Sequence, residues 1–287
     1  MRRYFKQERR DLVLEENFYK RKFSLEGKTA IVTGALGLLG KEFCKGLAEF
    51  GANVVVVDLD EKKAKDFSKE LSYKYKVKSL GMKCDVSREE DVNNMVERVL
   101  EEYTKIDILH NNAATKTDDL EGFFAPFEEY SPDNWRNVMS VNIDGMFLVA
   151  QKVGQHMAKV GGGSIIQTSS IYGLVAPDMR IYKGAVYLNK NINTPAVYTV
   201  SKAAVIGLTK YLAAYWGNKK IRVNTLILGG NESGQNEIFV KNYSHKVPLG
   251  RMGYPDEMVG ALIYLASDAS SYVTGQSIVV DGGFSIW

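Results

Sequence analysis

A tyrosine and a lysine stand four residues apart in Tyr198-Thr199-Val200-Ser201-Lys202. On a helix that spacing puts both side chains on one face, a turn apart. A phenol beside an ammonium is a proton donor suited to neutral pH. The cation favours the phenolate and is expected to draw the tyrosine below its ordinary pKa of about 10. Tyr-x-x-x-Lys alone is a weak signal, because chance pairs at this spacing commonly lie on a solvated face. Two upstream features give it weight: the serine pair Ser169-Ser170, and a glycine-rich turn that follows a strand.

Thr29-Ala-Ile-Val-Thr-Gly34 reads as a short buried strand running into Gly34-Ala-Leu-Gly37-Leu-Leu-Gly40, then an amphipathic helix to about Phe50. Asn53 to Asp58, with four consecutive valines, is the apolar run of a parallel strand covered on both faces. Strand, glycine turn, helix and strand make a βαβ unit suited to a dinucleotide. Glycines let the backbone approach a pyrophosphate, whose charge rests on the helix N-terminus. Asp58 lies 18 residues after Gly40 at the end of the second strand. A carboxylate there takes the ribose hydroxyls of NAD and repels the 2′-phosphate of NADP. The bland alternatives are close helix–strand packing for the glycines and an ordinary loop carboxylate for Asp58.

Helix and strand patterns then alternate. Helices are expected at Glu61–Tyr75, Glu89–Tyr103, Pro132 to about Val160, from Pro195 in the first helical turn to about Gly217, and at Pro255–Ser267. Strands are expected at Val77–Cys84, Ile106–His110, Ser164–Thr168, Ile221–Leu228 and Gln276–Val280. The result is an α/β chain with one doubly wound, parallel, seven-stranded sheet and helices on both faces. Right-handed crossovers bring the C-terminal ends of all strands to one edge, where ligands bind. The glycine turn, Asp58, Asn111, Ser170 and Leu228–Gly230 share that edge.

Composition supports an ordinary soluble globular protein, 45% apolar and 25% charged. No apolar run reaches membrane-spanning length, and the N-terminus lacks a signal-peptide core. Residues 1–28 hold nine Lys/Arg and five Asp/Glu, net +4 of the chain's +3, so the rest is near neutral. Residues 1–27 read as a solvated or subunit-clasping arm, with Asp11 to Phe23 partly helical, rather than a nucleic-acid site. Cys44 and Cys84 make no disulfide framework and point to a reducing compartment, hence the cytoplasm. His110 and His156 read as structural, and no cluster has metal-ligand spacing.

Over residues 24–287 the sequence resembles the short-chain dehydrogenase/reductase family. The resemblance rests on Thr33-Gly34…Gly40, Cys84-Asp85-Val86, Asn111-Asn112-Ala113-Ala114, Val141-Asn142, Ser169-Ser170, Tyr198-x-x-x-Lys202, Ile221-Arg-Val-Asn224 and Val273-Thr-Gly-Gln276…Val280-Asp-Gly-Gly283. It implies a Rossmann sheet and a catalytic tetrad of Asn142, Ser170, Tyr198 and Lys202. Tyr198 would be the general acid/base, Lys202 would tune it and bind the nicotinamide ribose, Ser170 would hold the substrate oxygen, and Asn142 would hold a water. For NAD(H), the resemblance implies Thr33, Gly34, Leu39 and Gly40 along the pyrophosphate, Asp58 on the adenosine ribose, Asp85 and Val86 beside the adenine, Asn112 bracing the central strand, and Gly229 near the nicotinamide. It also implies a homotetramer or dimer. The C-terminal half is similar to a bacterial subgroup acting in flagellin modification and surface-glycan pathways.

Four departures stand out. The glycine spacing is that of the epimerase-type branch, Ala114 replaces a usual Gly, Leu228-Gly229-Gly230 stands where Pro-Gly is common, and Ser170 and Tyr198 lie 28 residues apart. The extra stretch, residues 171–194, is expected over the active site. Its Asp178, Met179, Arg180, Tyr182, Lys183, Tyr187, Asn189, Lys190, Asn191 and Asn193 suit a hydroxyl-rich or anionic substrate, with Arg180 or Lys183 meeting a phosphate or carboxylate. The alternative is a surface loop or subunit contact. Residues 231–247 read as a flexible substrate lid bearing Glu232, Gln235 and His245. The expected activity is NAD(H)-dependent interconversion of a secondary alcohol and a ketone on a small molecule, with a sugar or sugar derivative as the expected substrate. The rivals are a sugar-nucleotide epimerase or dehydratase using bound NAD, and a non-catalytic dinucleotide binder.

Overall fold

The computed structural model describes residues 16–287 apart from 118 and 188. Residues 11–15 of the stretch expected to be partly helical therefore lie outside the described residues. What is described of the arm holds one helical turn, α1 (Phe18–Arg21), shorter than expected.

The first strand, β1 (Thr29–Thr33), is buried along its whole length. The glycine turn and α2 (Leu38–Glu49) follow, then β2 (Asn53–Asp58) and α3 (Glu61–Tyr75). Next come β3 (Ser79–Lys83), α4 (Glu89–Tyr103), β4 (Ile108–Asn111) and the short α5 (Leu120–Phe123). The sheet order, taking in the later strands β5 (Gly163–Ser170), β8 (Ile221–Leu228) and β9 (Ser277–Val280), is β3-β2-β1-β4-β5-β8-β9. Every pairing in it is parallel.

The valine run of β2 shows why the sheet is covered twice. Val54 and Val56 join the core formed with α2, α3 and α10 (Val259–Ala266), while Val55 and Val57 join the core formed with α4, α7 (Met146–Val160) and α8 (Ala196–Trp216). Side chains alternate between faces with period two, so an unbroken apolar run requires a layer on each side. The strand order reverses between β1 and β4, which opens a crevice at their C-terminal ends.

Three expectations are corrected. The helix expected from Pro132 to Val160 is continuous but not uniform: α6 (Pro132–Met139) and α7 are joined by a π turn at Ser140–Gly145. Pro195 is the extended N-cap of α8, not part of its first turn. Residues 231–247 are half helical, with α9 at Glu237–Ser244, its first turn capped by the Asn236 side chain. A two-stranded antiparallel hairpin, β6 (Val186–Tyr187) and β7 (Lys190–Asn191), occupies part of the insertion.

Candidate active site

The glycine turn is packed so tightly that two of its glycines have no substitute. Gly34 has φ +63°, and a Cβ on it would stand 2.9 Å from the Ala113 Cα. A Cβ on Gly40 would overlap the Gly34 carbonyl oxygen. Gly37 differs: it is exposed, and a Cβ there would meet only the Gly34 oxygen, at 3.4 Å. Gly37 is also the N-cap of α2, and no side chain caps that helix. Its first N–H groups therefore face open space without a side-chain acceptor, the arrangement that receives a phosphate.

Two threads hold the turn in place. The Asp58 carboxylate accepts from the Leu36 and Leu59 N–H groups, both at 2.8 Å. The Thr33 hydroxyl accepts from Asn112 N at 2.9 Å and Ala113 N at 3.1 Å, and the Asn112 amide donates to the carbonyls of Thr33 and Gly34. Asn111, buried beneath, accepts from the Thr33 hydroxyl and donates to the Met146 carbonyl, joining the strand edge to the start of α7. Asp85 is turned inward, accepting from the Ser87 N–H and hydroxyl. Val86 is buried against Gly145. Leu39 is half-buried against the α2 side of the core. Gly229 sits at the end of β8, its N–H donating to Val280.

The four tetrad candidates come together. Asn142, fully buried in the π turn, accepts from Thr115 N at 2.9 Å and donates to the Ser201 hydroxyl at 3.2 Å. Ser201 in turn donates to the Tyr198 carbonyl. Lys202 is buried, its Nζ 5.8 Å from the centre of the Tyr198 ring and donating to the Thr168 carbonyl at 3.3 Å. Ser170, at the end of β5, is near enough to Tyr198 to favour its phenolate. The π turn is what lets a helical asparagine reach both Thr115 and Ser201, and such turns recur at functional positions.

The charge states depart from expectation. Burial raises the Tyr198 pKa, and Ser170 only partly offsets this. Burial also pushes Lys202 down to about 8. The expected lowering of Tyr198 by Lys202 is thus not met. Spacing gives proximity, but stripping water from the phenolate costs more than this partly desolvated cation, turned to a carbonyl, returns.

The insertion is tied on two sides. Towards the segment after β4, Lys190 pairs with Glu121 at 2.6 Å, Asn193 donates to the Phe124 carbonyl, and Tyr187 lies under the Lys116 ammonium. Towards α9, Asn236 bonds Val186 and Gly184, Asn242 donates to the Ile181 carbonyl, and Asp178 pairs with Lys246. Of the two cations expected to meet an anion, Arg180 already has a carboxylate partner, held by both oxygens of Asp178, and Lys183 is open to solvent. Gln235 is spent on Asn231 and Ser233. His110 bonds Thr168 and is pushed down to about 3 by burial, and His156 accepts from Ile106 N, as structural histidines do.

Sequence reasoning missed Tyr172 and Tyr243. Tyr172 packs beside Tyr198 with Tyr182, and the Tyr243 hydroxyl accepts from Gly230 N. Tyr172 was findable, two residues after Ser170. Tyr243 was not, because nothing local marks which face of α9 turns inward.

A family model described as "Enoyl-(Acyl carrier protein) reductase" matches residues 34–285. The chain is 32% identical to D-threitol dehydrogenase of Mycolicibacterium smegmatis, across 92% of this chain and 95% of that protein. It is 31% identical to NAD-dependent glycerol dehydrogenase of Listeria innocua, across 93% and 98%. Among solved structures, a gluconate 5-dehydrogenase from Burkholderia cenocepacia, in complex with NADP and tartrate, superposes with TM-score 0.82 at 33% identity, covering 93% of this chain and 98% of that one. The chain belongs to the short-chain dehydrogenase/reductase family and is an alcohol/ketone oxidoreductase using a nicotinamide dinucleotide. No helix among the described residues is long and apolar enough to cross a membrane, and no group of three or more His, Cys, Asp or Glu among them is placed to hold a metal.

Proposed function

We propose that this protein interconverts a secondary alcohol and a ketone on a polyol or sugar, with NAD(H) as its preferred dinucleotide. The observation that carries the reading is the meeting of Ser170, Tyr198, Lys202 and Asn142 beside an uncapped helix N-terminus. The nicotinamide, when bound, supplies or accepts the hydride. Thr33, Gly34, Leu39 and Gly40 would line its pyrophosphate, with Asp85, Val86, Asn112 and Gly229 around the remainder.

In the oxidation direction Tyr198 removes the alcohol proton, and in reduction it protonates the carbonyl oxygen. Ser170 orients that oxygen. Lys202 holds positive charge below pH of about 8, so it stabilises the phenolate as it forms and binds the nicotinamide ribose. Asn142 fixes α8 against the segment at Thr115, which keeps the lysine aligned. Asp58 supports NAD over NADP: its carboxylate stands at the end of β2, where a 2′-phosphate would meet negative charge. The polyol reading draws on the D-threitol and glycerol dehydrogenase relatives. No specific contact favours a role in surface-glycan or flagellin modification over it.

Exposed Phe147, Val200, Tyr211 and Tyr215 on α7 and α8 support assembly as a homotetramer or dimer. Light scattering on the purified protein measures that directly.

The test is nicotinamide absorbance with NAD+ or NADH across neutral polyols, sugars and their ketones, with Tyr198→Phe alongside. Tyr198→Phe should lose roughly 10²–10⁴-fold in turnover while binding NADH nearly as before. Retained turnover would remove Tyr198 from the mechanism. A signal needing only catalytic dinucleotide, without net NADH change, would favour the epimerase reading.

A further inference from the structure

Three hydroxyls form an unbroken chain in the wall behind Tyr198. Tyr172 follows Ser170 by two residues, and its backbone N–H donates to the Ser170 hydroxyl. The Tyr182 hydroxyl lies 3.1 Å from the Tyr172 hydroxyl and also hydrogen-bonds the Thr194 hydroxyl. Tyr172 and Thr194 are buried, and Tyr182 is half-buried. Tyr198 packs directly against this cluster. All three residues lie within the stretch 171–194 between Ser170 and Tyr198.

The proton count is informative. Three hydroxyls carry three protons, and two internal links use two of them. One O–H proton is therefore left at an end of the chain, and reversing both links moves it to the other end. At Tyr172, the end next to Ser170, the chain presents either a donor or an acceptor. A substrate hydroxyl needs such a partner, since it too donates and accepts. The chain is uncharged: burial raises the pKa of both phenols. Two cations of the insertion are paired elsewhere, Arg180 with Asp178 and Lys190 with Glu121.

We propose that Tyr172, Tyr182 and Thr194 form a subsite for a second hydroxyl on the substrate, adjacent to the reacting carbon, and so select uncharged vicinal diols and hydroxyketones over simple alcohols and ketones. The proposal rests on the oxidoreductase reading above and adds its specificity determinant. Ser170 and Tyr198 hold the reacting oxygen, and Tyr172, two residues on, meets the neighbouring one. The Tyr182–Thr194 end sets the orientation of the Tyr172 proton. The insertion thereby acts on specificity without touching the reacting atoms.

Butane-2,3-diol and butan-2-ol share a carbon skeleton and differ by one hydroxyl. The experiment compares kcat/KM for the two with NAD+ in the wild type, Tyr182→Phe and Tyr172→Phe. The wild type should favour the diol at least tenfold, because a site built to bond a hydroxyl leaves its own polar groups unpaired with the analogue. Tyr182→Phe keeps the ring that packs on Phe239 and should cut the preference several-fold, read as the ratio of the two kcat/KM values. Tyr172→Phe should abolish the preference. A purely structural role would lower both substrates together and leave the ratio unchanged, which would overturn the subsite while leaving the oxidoreductase reading intact. A wild type that binds NADH but turns over neither alcohol, nor butanone and 3-hydroxybutanone in reverse, would overturn both.

Discussion

Replacing Gly37 with serine separates what the glycine turn does for the fold from what it does for a ligand. Gly37 adopts φ −65° and ψ 168°, an extended conformation that serine takes without strain. A Cβ there meets only the Gly34 carbonyl oxygen at 3.4 Å, ordinary contact. Serine is also at least as good an N-cap as glycine, by a few tenths of a kcal/mol. Gly37→Ser should therefore leave thermal stability unchanged or slightly raised. Its hydroxyl, however, would cap the N–H groups that a pyrophosphate needs and fill the space it enters. A helix N-terminus contributes up to about 2 kcal/mol to a bound anion in favourable geometry. Losing about 1.4 kcal/mol of that corresponds to a tenfold weaker dissociation constant. NADH fluorescence titration at fixed salt, paired with thermal unfolding, reads both quantities. Gly40→Ala is the contrasting control, because its Cβ overlaps the Gly34 oxygen. Overpacking of that kind costs about 1–3 kcal/mol and should lower the melting temperature by several degrees. Wild-type NADH affinity in Gly37→Ser would refute the argument that the open face of the turn is the phosphate cradle.

Asp58→Ser should relax the preference for NAD and also loosen the glycine turn, because the Leu36 and Leu59 N–H groups lose their acceptor. Equal use of NADP by the unmutated protein would sink the role given to Asp58. Lys202 stays charged in an unfolded chain to about pH 10.5 but in the folded one only to about 8. Between those values the unfolded state binds more protons, so this residue's contribution to stability rises with pH by at most about 1.4 kcal/mol per unit. Urea unfolding at pH 8 and 10 should show that rise in the wild type relative to Lys202→Met, and parallel curves would contradict it. Asp178→Asn should free Lys246 and Arg180 and loosen the insertion against α9, raising KM several-fold with little change in kcat. Steady-state kinetics with an unchanged KM would show that closure does not depend on this carboxylate.

The sheet was legible because its strands are unambiguous. Val54–Val57 sits on both faces of the core, and α3 and α4 fall where their apolar periodicity places them. The meeting of Asn142, Ser170, Tyr198 and Lys202 was legible from family spacing rather than from local physics. Its electrostatics were not. Sequence separation reports that Lys202 lies near Tyr198, but not that Lys202 is buried, that burial raises the Tyr198 pKa or that the ammonium turns to Thr168. The pairings inside the insertion were not legible. Arg180 looked like an anion ligand because its partner, Asp178, is two residues away and equally able to face solvent. The helix at Glu237–Ser244 was taken for a flexible lid because its eight residues are too few for periodicity to declare itself.

The π turn at Ser140–Gly145 has a bearing on how α6 and α7 can share one rod. Each α-helical residue advances the azimuth by about 100°, so the additional residue in a π turn offsets everything downstream by about that angle. Upstream, Val138 of α6 faces Val197 at the start of α8; downstream, Val149, Val153 and Met157 of α7 face the sheet. Rewinding this segment as an uninterrupted 3.6-residue helix, with no residue removed, would roll α7 by roughly a quarter turn or more. Its valines would then swing away from β4 and β5, and exposed Phe147 would swing with them. The segment that carries Asn142 is thus also the phase correction that lets one helical rod satisfy two differently oriented apolar surfaces.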